Sequence, residues 1–268
     1  MTERRLSFSG FEDYTRCGEA YRLKRVVKVP QRPGMARVGG SAFHEWTEQY
    51  DLHRLGYQDE EPDPADAILE HLVATEEEES GVPRDKWQIS GRKTKDKPNK
   101  ENFEVWRDTL LPEMCEKYIE WVRECPWQIA TDLPPDQNGR TVGVEYDFRV
   151  YIRYTRVPGI VDRVVVDEHG NYGAVDLKSW ARERRSVQLP TYLVGLQMRG
   201  VPAVWGSYYH ARKGVADDPK FMPNWTEQRL AALYDQAAMS INAGIFIPAP
   251  SDDCRSFCSV AGHCEYAV

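Results

Sequence analysis

The chain has 268 residues, 41% of them hydrophobic, with eight Trp and fourteen Tyr, which excludes wholesale disorder and allows one sizeable core with insertions. No run approaches the roughly 20 apolar residues needed to cross a bilayer, and the start, MTERRLSFSG, lacks the apolar stretch of a secretory signal; a soluble, cytoplasmic protein without membrane contact is expected. The net charge of -7 does not by itself suggest a nucleic-acid binder, but it is a segregated sum: acid concentrates between Asp59 and Glu79, while base gathers at Arg4 and Arg5, from Arg22 to Lys28, from Arg84 to Lys100 and at Arg182, Arg184 and Arg185.

In chain order, residues 9–26 read as an amphipathic helix. Gly39-Gly40-Ser41 leads into a helix over 42–55 that carries His44, with Ser41 as its expected N-cap. Residues 63–80 read as a helix with an acidic outer face. The stretch 81–102, rich in Lys, Arg, Gly and Pro, reads as an exposed loop. A long helix follows over 103–122, which Pro112 is expected to kink or divide. Strands are predicted over 141–154, 159–167 and 172–180, with His169-Gly170-Asn171 as a hairpin turn. A helix over 184–199, a strand over 201–210 and a helix over 226–243 precede a cysteine-rich tail. The order implies a mixed α/β layer rather than a repetitive βαβ array.

Val175-Asp176-Leu177-Lys178 falls at the end of a predicted strand, where residues two apart share a face, so Asp176 and Lys178 project together. A second acid, Asp162, lies on the neighbouring strand after Pro158-Gly159-Ile160-Val161. Paired carboxylates suit a hard divalent cation such as Mg²⁺ or Mn²⁺, and a nearby Lys can orient or activate water. An isolated Asp-x-Lys is common as a surface ion pair. Here it stands in a series: Gly40-x-x-x-His44, then Gly159-x-x-Asp162-Arg163, then Asp176-x-Lys178, then Gln188-x-x-x-Tyr192 on one helical face.

That series, in this order, resembles the motif set of the PD-(D/E)XK nuclease superfamily in its RecB-like branch. The resemblance implies a restriction-endonuclease-like α/β fold, a mixed sheet flanked by helices, over a single domain, 1–268. Within it lie a mainly helical part (1–140) with the basic loop 81–102, a nuclease core (141–245) and a cluster-binding tail (246–268). It also implies that His44, Asp162, Asp176 and the backbone carbonyl of Leu177 bind Mg²⁺ or Mn²⁺, that Lys178 serves the attacking water, and that Gln188 and Tyr192 complete the site. Glu145 reads equally as a supporting acid or a structural ion pair. Val161 stands where the family pattern nominally has Pro before the acid.

The six cysteines, in a chain without a secretory signal, point to thiolate chemistry or burial rather than disulfides. Cys17 with Cys254, Cys258 and Cys264 resembles the ligand set of iron–sulfur nucleases of this superfamily, the AddB-type domains and the fourth CRISPR-associated protein family. It implies a structural 4Fe-4S cluster, with four-cysteine zinc as the chemical rival. The first spacing, three residues, departs from the more usual two. Cys115 and Cys125 read as buried hydrophobes.

Candidate DNA contacts are Lys86, Trp87, Arg92, Lys93, Lys95 and Lys97 in the basic loop, with Arg163 and Arg182. The implied activity is exonucleolytic hydrolysis of DNA, favouring single-stranded or frayed ends, in recombination, repair, replication or CRISPR-type processing; such small proteins occur in phages. With no Gly-x-x-x-x-Gly-Lys-Ser/Thr loop, a helicase, recombination or CRISPR partner is expected for duplex DNA, and an oligomer is compatible. The alternatives are a DNA-binding assembly module with a vestigial site, or a zinc-stapled structural protein.

Overall fold

The computed structural model describes residues 4–89, 101–179, 187–252 and 254–267. A short strand, β1 (Arg4–Arg5), leads to α1 (Phe8–Arg16), whose N-cap Ser7 accepts the Gly10 N–H. The single helix expected over 9–26 is broken at Cys17. That residue takes an extended backbone (φ −161°, ψ 109°), and its Sγ accepts the Ala20 N–H at 3.4 Å, which caps α2 (Gly18–Tyr21); a π-turn, Arg22–Val27, follows. Apolar residues resume on the same face beyond the break, so periodicity hid it.

The next helix, α3 (Met35–Arg54), begins earlier than expected, and Ser41 lies inside it, its hydroxyl donating to the Arg37 carbonyl instead of capping. Gly39 and Gly40 sit within the helix because a Cβ at Gly39 would stand 2.3 Å from the fully buried Trp106 ring. After α4 (Ala65–Ser80), the short α5 (Phe103–Val105), a π-turn (Trp106–Leu110) and α6 (Leu111–Glu124) run on as one helix. Pro112 falls in the first turn of α6, where its missing N–H matters least.

The strands are β2 (Gln128–Ile129), β3 (Val144–Ile152), β4 (Thr155–Val166) and β5 (Tyr172–Lys178). A crossover helix, α7 (Gln188–Met198), leads to β6 (Ala203–His210), β7 (Val215–Ala216) and β8 (Lys220–Phe221), and then to α8 (Glu227–Asn242) and α9 (Cys254–Phe257). The sheet order is β1-β4-β5-β6-β7, with β2 and β3 on β4 and β8 on β6. Only β1·β4 and β5·β6 are parallel.

Helices pack on both faces of this sheet, leaving one side of the outer part of β3 and β4 exposed at Arg149, Tyr151 and Ile160. On one, α1, α7 and α8 pack against Tyr146, Phe148, Val157 and Val161. On the other, α3, α4 and α6 pack against Val175, Leu177, Trp205 and Tyr209. The result is the expected mixed α/β architecture, a mostly antiparallel sheet flanked by helices. Among the described residues, no helix is long and apolar enough to cross a membrane.

Candidate active site

Asp162 and Asp176 come together because β4 and β5 pair antiparallel, with Arg163 opposite Val175 in the step before them. Asp162 Oδ2 accepts the Leu177 N–H at 2.6 Å, so the carboxylate fixes the strand end that carries Asp176 and Lys178. Lys178 Nζ stands 2.6 Å from Asp176 Oδ2 and donates to Gln188 Oε1 at 2.8 Å. Gln188 Nε2 in turn donates to Asp176 Oδ1 at 2.5 Å and to Tyr192 Oη at 2.9 Å. Residues 188 and 192 occupy one face of the first turns of α7, as their spacing predicts.

His44 approaches from α3, its Nδ1 3.7 Å from Asp162 Oδ1 and 3.8 Å from Glu145 Oε1. The Gly-x-x-x-His spacing has a physical basis here. A Cβ at Gly40 would lie 2.8 Å from Ser179 Oγ, one residue past Lys178, so the glycine lets α3 meet the end of β5. Glu145, left open by the sequence, joins the site: one ligand atom each from His44, Glu145 and Asp162 lie within 4.8 Å of one another. Its φ of +46°, at the second residue of β3, is strained for a non-glycine residue, a cost that clusters at functional positions.

The pocket's electrostatics suit a cation. Burial, then the charge of Asp162, raises Asp176 to about 6 against the pull of Lys178. Burial also raises Asp162, with His44 opposing and Glu145 adding to the rise. Desolvation works against charge on His44, but Asp162, Glu145 and Asp176 outweigh it and lift the imidazole to about 9. Asp176 Oδ2 is buried without a well-aligned hydrogen bond. Oxygen donors with one imidazole, and a lone pair left over, fit a hard divalent ion.

The chain matches the family model of the PD-(D/E)XK nuclease superfamily over residues 5–265. It belongs to that superfamily. It is also similar to the Gene 69 protein of Mycobacterium phage L5, 26% identical over 284 residues, and to that of Mycobacterium phage D29, 28% identical over 278 residues; each alignment covers 96% of this chain and 95% of the relative. The nuclease is thus a metal-dependent hydrolase of nucleic acid, and its family implies a DNA substrate.

Sequence reasoning missed what holds the acids of this nuclease from behind. Arg163, expected on the DNA surface, is 1% exposed and serves the core instead. Its Nε donates to Asp51 Oδ2 at 2.6 Å and its Nη1 to the Asp162 carbonyl at 2.5 Å; Nη1 also stands 3.5 Å from Glu145 Oε1. Tyr118 Oη donates to the same Asp51 carboxylate at 2.5 Å. Asp51 lies two turns after His44 on α3, and that i, i+7 spacing was the available signal. Trp87, expected to stack on a base, is likewise buried, with Nε1 donating to the Val82 carbonyl at 2.8 Å. Its burial against the helical layer leaves Lys86 as the exposed member of that pair. Arg92, Lys93, Lys95, Lys97 and Arg182 lie outside the described residues.

Cys17, Cys254, Cys258 and Cys264 line one cleft, together with Lys178, Gln188 and Tyr192. The tail is tied to the N-terminal helices: Gly18 N–H donates to the Ile247 carbonyl at 2.8 Å and Tyr14 Oη to the Ile245 carbonyl at 2.9 Å. Cys17 Sγ accepts from Ala249 N–H at 3.4 Å, and Cys254 Sγ from Ser251 N–H at 3.3 Å. Burial raises the Cys264 thiol, and Glu19, Cys17 and Cys258 nearby add to the rise. Among the described residues, no three of the cysteine sulfurs lie within 4.8 Å of one another. Tetrahedral zinc at Zn–S of about 2.3 Å sets its sulfurs about 3.8 Å apart. Cys115 is buried as expected, whereas Cys125 is only partly so.

Proposed function

We propose that this nuclease is a RecB-like DNA exonuclease that uses Mg²⁺ or Mn²⁺ and favours single-stranded ends. The observation that carries the reading is the meeting of His44, Glu145, Asp162, Asp176, Lys178, Gln188 and Tyr192, drawn from five separate elements, at one strand end. His44, Asp162, Asp176 and the Leu177 carbonyl are the proposed ligands, with Glu145 a further acid. The bound ion would neutralise charge on the scissile phosphate and lower the pKa of water.

The side chains divide the remaining work. Lys178, held by Gln188, presents its ammonium where a water attacks phosphorus and where negative charge grows. Gln188 spans Lys178, Asp176 and Tyr192, so it fixes all three relative to the substrate. Tyr192, its hydroxyl held protonated by burial and by Asp176, remains a donor for a phosphate oxygen. The cysteine set is proposed to hold a structural 4Fe-4S cluster. A helicase or recombination partner, or resected ends, would supply the unpaired strand, in phage recombination or replication or in CRISPR-type processing.

The deciding experiment incubates purified Asp176→Ala and Lys178→Ala proteins with end-labelled single and double strands in Mn²⁺. Loss of at least a hundredfold in cleavage rate is expected for each. Persistent metal-dependent cleavage would overturn the site. Wild-type release of internal fragments before mononucleotides would overturn the exonuclease reading.

A further inference from the structure

We propose that the outer face of the β3–β4 hairpin is the track along which an unpaired DNA strand runs to the carboxylates, a reading that rests on the proposed nuclease function. The register builds this face row by row. Asp147 lies opposite Ile160, Arg149 opposite Pro158, and Tyr151 opposite Arg156. On the other edge of β4, Arg5 lies beside Arg156. Residues paired across strands share a face, and the alternation along β3 buries Phe148, Val150 and Ile152 while turning Arg149 and Tyr151 outward. The same face thus carries Arg149, Arg156 and Tyr151 toward its far end, while nearer the carboxylates Asp147 stands 3.3 Å from Arg149.

Its surroundings point the same way. Tyr151 is 55% exposed and Ile160 50%, so an aromatic ring and an aliphatic side chain both reach the surface of this face. Arg5, Arg149, Pro158 and Ile160 line the same cleft, of about 2200 Å³, onto which Lys178, Gln188 and Tyr192 open. That cleft is lined by eight Lys and Arg against three Asp and Glu, in a chain whose net charge is -7. Five of these cations also sit in ion pairs, Arg16 and Lys24 with Asp13, Arg149 with Asp147, Lys178 with Asp176 and Arg212 with Glu101. Arg5, Arg32 and Arg255 add to them. The ligand such a lining suits is a polyanion, whose phosphates would compete for the paired cations. From Asp162 to Arg156 the strand covers about 20 Å at about 3.4 Å per residue, room for several nucleotides. An exposed tyrosine between two arginines offers a stacking surface only to a base that is not already paired.

The test measures binding of a fluorescein-labelled dodecathymidylate to full-length protein by anisotropy, in metal-free buffer, across a salt series. Tyr151→Ala is expected to weaken binding about tenfold. Arg149→Ala is expected to reduce the salt slope by about 0.7. In Mn²⁺, the loss should appear in KM for the oligonucleotide rather than in kcat. Both substitutions are at exposed positions, and far-UV circular dichroism checks that the fold is kept. Cleavage by these variants with unchanged affinity, salt slope and KM overturns the track and leaves the nuclease reading intact. Binding that depends on Tyr151 and Arg149 in a wild-type protein that cleaves nothing supports the track and sinks the nuclease reading instead.

Discussion

Asp162 and Asp176 are buried side by side, and each is harder to ionise for it. Glu145 adds a third acid, and the cations in reach do not dissolve the conflict. Lys178 is engaged by Asp176 and Gln188. Arg163 is turned toward Asp51, a buried carboxylate that Arg54 and Tyr118 also hold. The same guanidinium grips the Asp162 carbonyl, so the fold holds the acids in place at the backbone while leaving their charge for a ligand. A divalent ion should therefore stabilise the folded protein. At a hundred times its dissociation constant the gain is about 2.7 kcal/mol, or about 5–10 °C in melting temperature for a chain of this size. Scanning fluorimetry of protein treated with chelator and then titrated with Mn²⁺ should show that rise. Asp162→Ala should abolish it. A melting temperature of the wild type that ignores Mn²⁺ would count against a metal site here.

At the scale of elements, α3 is the piece that converts sequence into a site. It delivers His44 to the acids and Asp51 to Arg163 from one face, and it comes close enough only because Gly39 and Gly40 have no side chains. An alanine normally favours a helix over glycine by about 1 kcal/mol. Gly39→Ala is expected to do the reverse, because the Trp106 ring has no exposed side toward which to move. The overlap should cost about 1–3 kcal/mol, read as a lower urea midpoint with an unchanged m-value. The same helix explains what could be seen in advance. Strands and the Asp-x-Lys and Gln-x-x-x-Tyr placements were legible because alternation and i, i+4 spacing are local properties. The start of α3 was not, since Gly39-Gly40 reads as a breaker until the ring it accommodates is known. Nor was the break at Cys17, where a thiol caps the following turn while the apolar spacing runs through. Arg163 and Trp87 misled for a related reason. A basic or aromatic residue advertises a ligand, and only long-range partners such as Asp51 and the Val82 carbonyl reveal that it is already satisfied within the fold.

For the whole molecule, the question is how two chain ends are kept together beside the cleft. The contacts that join them include hydrogen bonds from Gly18, Tyr14, Gln88, Arg32, Ala249 and Ser259 and the Phe246 ring against Tyr14 and Tyr21. The tail itself buries little. Phe257 is 70% exposed, and among the described residues of the tail Val260 alone is fully buried. Packing of that kind does not hold a segment closed, and a cluster bridging Cys17 to Cys254, Cys258 and Cys264 would, by restricting the unfolded chain and by adding its own binding free energy to folding. Gly18 shows how tight the docking is, since a Cβ there would stand 2.6 Å from the Ile247 nitrogen, a backbone atom that cannot rotate aside. If the proposed cluster is the staple, the wild type should be brown, and Cys17→Ser should give a colourless protein whose tail is cut at Phe257 by chymotrypsin about tenfold faster. Its far-UV circular dichroism should change little, because the sheet and its covering helices form the core without the tail. A wild type that is colourless and carries zinc would replace the cluster with a smaller ion and require the sulfurs to close in. A Cys17→Ser protein with wild-type colour and protease resistance would remove the amino-terminal cysteine from the staple altogether.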